Sequence, residues 1–230
     1  MTKTFQIFTD SSCDLPQSLA DELDLQVIPL HVTIDGKTYR NYLDGREIGF
    51  PEFFAKLRAG SQGTTSAVNP EEFSAVMEQS LAAGLDILYV GFSSGLSTTY
   101  QSGAIACGEL REKYPERKLI AIDSLCASLG EGLLVMRAAD CRREGLSIDE
   151  TYKTLRALRH RMAQIFTVDD LRYLRRTGRL SNLEAAVGTV LQIKPLLKGD
   201  PQGKIVCFAK LRGRQRAIEA IAKRYEELVV

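Results

Sequence analysis

Ile87-Leu88-Tyr89-Val90-Gly91-Phe92-Ser93-Ser94-Gly95-Leu96-Ser97-Thr98-Thr99-Tyr100-Gln101-Ser102-Gly103 is the stretch on which the reading of the fold turns. Its first four residues form an apolar run of the kind that makes a buried parallel strand. Past the serines, Tyr100, Ala104, Cys107 and Leu110 recur at three- and four-residue steps, the period of a helix. The serines therefore stand at the C-terminal end of a strand as it opens a helix, where ligands gather in open α/β sheets. Hydroxyls and unpaired first-turn amides at such a point suit an anion. The plainer reading of the same residues is that they only cap the helix.

Working outward, Phe5-Gln6-Ile7-Phe8-Thr9 reads as a first strand ending at Asp10-Ser11-Ser12, and Leu15-Pro16 starts a short helix. Val27 to Leu30 and Val32 to Ile34 are extended runs. Pro29 puts the first of them at an edge or a strand end, and Asp35-Gly36 is a hairpin-type turn. Phe50 to Leu57 is a short amphipathic helix, and 60–68 reads as a polar loop. Asn69 then caps a helix with Pro70 in its first position and Glu71-Glu72 in its first turn. Leu119 to Ile122 is another buried strand, ending at Asp123-Ser124, and Leu129 to Arg143 is the next helix. This βαβα alternation predicts an α/β fold with a parallel sheet in the N-terminal part. Three strand-to-helix turns, after Thr9, Val90 and Ile122, each carry serine beside the strand end.

A second part begins at the capping box Ser147-Ile148-Asp149-Glu150, whose helix runs to about Met162. Gln164 to Val168 is a strand, and Asp169 to Leu174 a short helix stopped at Gly178. Ser181-Asn182-Leu183-Glu184 is a second capping box opening a helix to Leu191. Two strands joined at Asp200-Pro201-Gln202-Gly203 and a helix from about Arg214 to Leu228 follow. Charge changes with the pattern. Residues 1–150 carry 13 Lys+Arg against 22 Asp+Glu, and residues 151–230 carry 17 against 7. We therefore expect an N-terminal α/β lobe over 1–146 and a smaller α/β lobe over 147–230. The latter ends on a helix with no strand to close its last unit, the pattern of a truncated domain.

The composition, 44% apolar and 26% charged over 230 residues, is that of a globular protein with a substantial core. No run of eighteen apolar residues and no signal-peptide core is present, so no integral membrane segment is expected. Five cysteines without a Cys-x-x-Cys pair suit a reducing, cytoplasmic setting, not a disulfide framework or a zinc site. With only His31 and His160 as imidazoles, no metal site and no metal cofactor are expected.

No Gly-rich segment with the spacing of a P-loop occurs. Gly130-Glu131-Gly132-Leu133-Leu134-Val135 begins like a dinucleotide fingerprint but has Val where the third glycine belongs. Gly91-Phe92-Ser93-Ser94-Gly95 matches the nucleophile elbow Gly-x-Ser-x-Gly, and Ser93, Asp123 and His160 follow the chain order of an α/β-hydrolase triad. Against a serine hydrolase, His160 lies on the basic helical face Arg156 to Arg161, where neighbouring arginines oppose its action as a base. Arg172, Arg175, Arg176 and Arg179, with Arg212, Arg214 and Arg216, form basic clusters with only Tyr173 nearby as an aromatic. They read as a solvated or partner-facing surface; nucleic acid is not expected.

Several stretches together resemble one bacterial family. They are Phe8-Thr9-Asp10-Ser11-Ser12-Cys13-Asp14-Leu15-Pro16, then Thr64-Thr65-Ser66 before Pro70, and Ser93-Ser94-Gly95-Leu96-Ser97-Thr98-Thr99-Tyr100-Gln101-Ser102. Leu171-x-x-Leu174-x-x-x-Gly178-Arg179-Leu180-Ser181 and Ile193-Lys194-Pro195-Leu196-Leu197 complete the set. In this order they are similar to the DegV family, fatty-acid-binding proteins that serve as the lipid-presenting subunit of fatty acid kinase. The resemblance implies two α/β lobes with a long-chain fatty acid between them and no catalytic residue in this chain. Thr65 and Ser97 would bind the carboxylate with Ser66, Ser93 and Ser94 close by. Arg179 and one of Arg212 or Arg214 would stand near the pocket mouth, where the family meets its kinase partner. Members of the family run on through a segment bearing a histidine and a Gly-Pro-Gly close, which this sequence does not contain. The expectation is a cytoplasmic, monomeric lipid carrier, with the serine hydrolase as the alternative.

Overall fold

A computed structural model describes residues 4–169, 174, 177–179 and 193–229 of the chain. These form two compact units, the first reaching to His160 and the second starting at Arg161. In the first unit a four-stranded parallel sheet has the order β2-β1-β6-β7, with β1 Phe5–Asp10, β2 Leu25–Ile28, β6 Asp86–Gly91 and β7 Leu119–Asp123. Every residue of β1 is buried, including Gln6, Thr9 and Asp10. A strand covered on both faces cannot alternate, which is why Phe5 to Thr9 reads as a continuous run.

Pro29 marks a change of sheet. β2 ends at Ile28, and β3 (Leu30–Ile34) joins β4 (Lys37–Asn41) and β5 (Gly63–Ser66) in an antiparallel sheet of order β4-β3-β5. The β3–β4 turn is the expected one: Asp35 and Gly36 both have positive φ, 52° and 77°, as a two-residue hairpin of this hand requires. β5 corrects the polar-loop reading of 60–68. Thr64 to Ser66 carry no apolar alternation because their side chains are exposed, yet their backbone pairs with β3, Val32 opposite Thr65 and His31 opposite Ser66.

Helices α1 (Gln17–Glu22), α2 (Phe50–Arg58), α3 (Pro70–Ala82), α4 (Thr99–Lys113), α5 (Leu129–Arg143) and α6 (Ile148–Leu158) complete this unit. Asn69 caps α3 as expected: its side chain accepts from the Glu72 amide at 2.8 Å, and the Glu72 carboxylate accepts from the Asn69 amide at 3.3 Å. Ser147 and Glu150 cap α6 in the same reciprocal way. The helix stops at Leu158 and tightens into a 3-10 turn over Arg159–Arg161. It packs on α5, β6 and β7 through Ile148, Thr151 and Leu155, which places it in the first unit although the change of charge lies before it. One core cluster joins Phe8, Val68, Phe73, Met77, Tyr89 and Cys107.

In the second unit, β8 (Ile165–Phe166), β9 (Ile193–Gly199) and β10 (Ile205–Arg212) form an antiparallel sheet of order β10-β9-β8, with α7 (Arg214–Leu228) packed on β9 and β10. The β9–β10 turn forms where expected, with the Asp200 carboxylate accepting from the amides of Gln202 and Lys204. Pairing at β8 is shorter than the run Gln164 to Val168 suggests, since only Ile165 and Phe166 face β9 partners. Most of the helix expected from Asp169 and the whole of that from Ser181 to Leu191 lie outside the described residues, as do Arg172, Arg175 and Arg176.

Candidate functional site

The C-terminal ends of β1 and β6 meet through a network built on Asp10. Its carboxylate accepts from four donors: the Ser12 amide (3.2 Å), the Ser12 hydroxyl (2.6 Å), the Tyr89 hydroxyl (3.0 Å) and the Phe92 amide (3.0 Å). The next residue, Ser11, accepts from the Leu30 amide at 3.0 Å and from Asn41 Nδ2 at 3.3 Å. One tripeptide thus holds the loop after β6 with one side chain and the first residue of β3 with the next. Glu131, in the first turn of α5, completes the network from the other side. It accepts from the Thr9 hydroxyl at 3.0 Å and contacts the Ser12 hydroxyl at 2.7 Å. Asp10, Glu131 and Thr9 are wholly buried. Burial raises the Asp10 carboxyl and lifts Glu131 well above the usual carboxylate range, with Asp10 as the next cause for Glu131.

The glycines beside Glu131 explain how it gets there. A Cβ on Gly132 would lie 2.8 Å from the Cys13 carbonyl, so only glycine lets α5 approach the 3-10 turn Ser11–Cys13 this closely. The segment that begins like a dinucleotide fingerprint is therefore a helix contact. Tyr89 has a similar neighbour: a Cβ on Gly91 would meet its hydroxyl at 2.5 Å. The Tyr89 ring stands edge-on to Phe73 at 5.0 Å and parallel to Tyr100 at 6.4 Å.

Above this network lies the serine loop. Ser93 is wholly buried; its carbonyl accepts from the amides of Leu96 and Ser97, and its hydroxyl accepts from the Gly95 amide at 3.2 Å. The Ser94 amide donates to Asp123 Oδ1 at 3.2 Å, which also accepts from the Leu125 amide at 2.9 Å. Ser97 is half-buried; its hydroxyl accepts from the Thr99 amide at 3.2 Å and pairs with the Thr99 hydroxyl at 2.8 Å. No side chain at Thr98, the residue before α4, caps the helix. The start of α4 thus offers amides and hydroxyls together.

Thr65 and Ser66 lie exposed at the end of β5, away from the serine loop in sequence. The two segments flank one core cluster, since Val68 belongs to it and Tyr100 packs against it. Arg179 is half-buried and donates to the Thr177 carbonyl at 2.8 Å. Arg212 is exposed at the end of β10, and Arg214, first in α7, pairs with Asp169 at 2.5 Å. Lys194 makes a second ion pair with Asp169, at 3.2 Å, so Arg214 braces the second unit.

The triad suggested by chain order does not assemble. A nucleophile elbow presents its hydroxyl at an exposed turn, whereas Ser93 is sealed in the interior. Asp123 orients backbone amides, and His160 is exposed with its Nε2 facing the Arg159 guanidinium at 3.3 Å. Among the described residues no group of three or more metal-binding side chains occurs, and no helix is long and apolar enough to cross a membrane.

The residues that sequence reasoning missed are Glu131 and the bridging role of Ser12. The available signal was an acidic residue set between two glycines at the start of a helix, just before the apolar run Leu133 to Met136.

Residues 4–228 match the family model described as "Uncharacterised protein, DegV family". A DegV domain-containing protein of Clostridium perfringens is 40% identical over 228 residues, which cover 99% of this chain and 78% of the relative. A DegV family protein from Thermus thermophilus, solved in a study of its fatty acid binding, superposes with a TM-score of 0.87 at 35% identity. The match covers 98% of this chain and 78% of that one. The structure of DegV from Bacillus subtilis, a fatty acid binding protein, gives a TM-score of 0.83 at 29% identity, over 98% of this chain and 78% of that one.

Proposed function

The chain belongs to the DegV family, and from that premise we propose that it binds a long-chain fatty acid and presents its carboxylate to a fatty acid kinase. The observation that carries the reading is the hydroxyl-rich start of α4, uncapped by Thr98 and set in order by part-buried hydrogen bonds. Relatives of the same fold are described as fatty acid binding proteins. Ser97 has the role of carboxylate ligand together with Thr65, and Ser66, Ser93 and Ser94 act close by. Ser93, being buried, acts through the loop's backbone.

The energetics suit a carrier. Burying about fourteen methylenes at ~0.8 kcal/mol each gives roughly 11 kcal/mol before ordering costs. Hydrogen bonds to a charged oxygen add about 1–3 kcal/mol. The tail supplies most of the affinity, and the hydroxyls decide which end is presented. Arg179 and Arg212 are the basic residues assigned to face the kinase; Arg214, held by Asp169, supports them.

Native mass spectrometry of the purified protein tests the binding directly. A co-purified or added oleate or palmitate is expected, with affinity reduced about tenfold in Ser97→Ala. A protein that stays empty at saturating fatty acid overturns the reading. Acyl phosphate formed by an added bacterial fatty acid kinase only with the loaded protein tests the presentation step.

A further inference from the structure

Two carboxyl groups and the hydroxyls of Thr9 and Ser12, with no cation among the described residues, make up the contact between β1, the 3-10 turn and α5. We infer that Asp10, Ser12 and Glu131 share one proton as a relay, in which Glu131 is a neutral acid donating to Ser12, Ser12 donates to an ionised Asp10, and the relay is the positioning device for the loop 92–97.

The argument is a count of hydrogens. Ser12 Oγ lies 2.6 Å from Asp10 Oδ1 and 2.7 Å from Glu131 Oε2, both well within O–H···O hydrogen-bond range. A serine hydroxyl has one proton and can donate to only one of them. The other contact needs a proton on a carboxyl group, and donor supply decides which. Asp10 accepts from the Ser12 amide, the Tyr89 hydroxyl and the Phe92 amide whatever Ser12 does. Among the described residues, Glu131 accepts otherwise only from the Thr9 hydroxyl. The charge therefore settles on Asp10, and the proton on Glu131.

The surroundings agree. The titratable groups around Glu131 are Asp10 on β1, Cys13 and Asp14 at the 3-10 turn, Tyr89 on β6 and Cys126 after β7, all of them acids. The helix α6, also packed on α5, turns Ile148, Thr151 and Leu155 inward. A second full charge would be buried there without a counter-ion, at a cost the fold avoids by keeping the proton. Through Asp10 the relay reaches the Phe92 amide, the first residue beyond β6, and so fixes where the serine loop begins. The inference stands on this buried geometry and is independent of whether fatty acid binds.

The test compares E131Q and D10N in the full chain. A glutamine amide donates to Ser12 as the acid does, so E131Q keeps the slow hydrogen exchange of the Phe92 amide. Whichever way its amide is turned, asparagine sets an NH2 against two of the four donors, so D10N is expected to speed that exchange at least tenfold. Because wild-type Glu131 must take up a proton on folding once the unfolded chain has lost it, the folding constant of E131Q relative to wild type should rise with pH. From about pH 4.5 upward the rise approaches tenfold per unit until the folded-state pKa is reached. If D10N does not fold, urea titrations of E131Q and wild type from pH 4 to 8 still decide. A ratio independent of pH, or E131Q destabilised at every pH with D10N tolerated, overturns the relay.

Discussion

Tyr89 shows how much one side chain can be asked to do. Its ring fills the core against Phe73 and Tyr100, while its hydroxyl is one of the donors that hold Asp10 ionised. Burial lifts that phenol well above its ordinary range, so it remains a donor at every working pH. Gly91 and Gly103 leave the room it needs, and a Cβ at Gly103 would collide with the ring edge. Gly103→Ala is expected to destabilise the protein by about 1–3 kcal/mol, because the ring has no free space to yield into. Urea denaturation followed by circular dichroism measures this. A stabilised variant, as helix propensity alone would give, would show that the ring is not the constraint.

The helices α3 and α6 begin with reciprocal capping boxes, whereas α4 and α5 begin without a side-chain cap at Thr98 and Ser128. Helices α1, α2 and α7 also start without a side-chain cap, so its absence does not by itself mark a site; α4 and α5 are the ones of this group that start beside the candidate site. Ser128 even holds a left-handed φ of 52° with ψ −137°, a conformation that favours glycine, while its amide donates to the Ser12 carbonyl. At α3 the cap is purely structural. Asn69→Ala should cost about 1 kcal/mol, read as a lowered urea midpoint with unchanged slope, and should leave oleate binding within twofold. Capping boxes are legible because both partners lie within four residues. β5 was not legible, since Thr64 to Ser66 become a strand only by pairing with β3.

Over the whole chain the thiols report where the fold is closed. Cys13, Cys107, Cys126 and Cys141 are buried, and Cys207 is half-buried on β10. Burial pushes the thiols of Cys13, Cys107 and Cys126 up to about 12, so none of them is a thiolate at neutral pH. A native thiol titration at pH 8 should therefore find one fast group, Cys207, with the other four reacting only on unfolding. Cys207→Ser should abolish the fast phase. Several fast thiols in the native protein would mean that the first unit opens more readily than its packing implies.

The sequence by itself determined the buried strands β1, β6 and β7, the Asp35-Gly36 hairpin, the strand end at Pro29, the caps of α3 and α6 and the family, because each is written in neighbouring residues or in the order of short motifs. Only the tertiary structure decided what Glu131 and Ser93 do. Glu131 meets the Thr9 hydroxyl across 122 positions of chain, and the burial that makes it a neutral acid and closes Ser93 off comes from elements far away in sequence. A residue's charge state depends on how much water the fold leaves around it, and no local pattern carries that quantity.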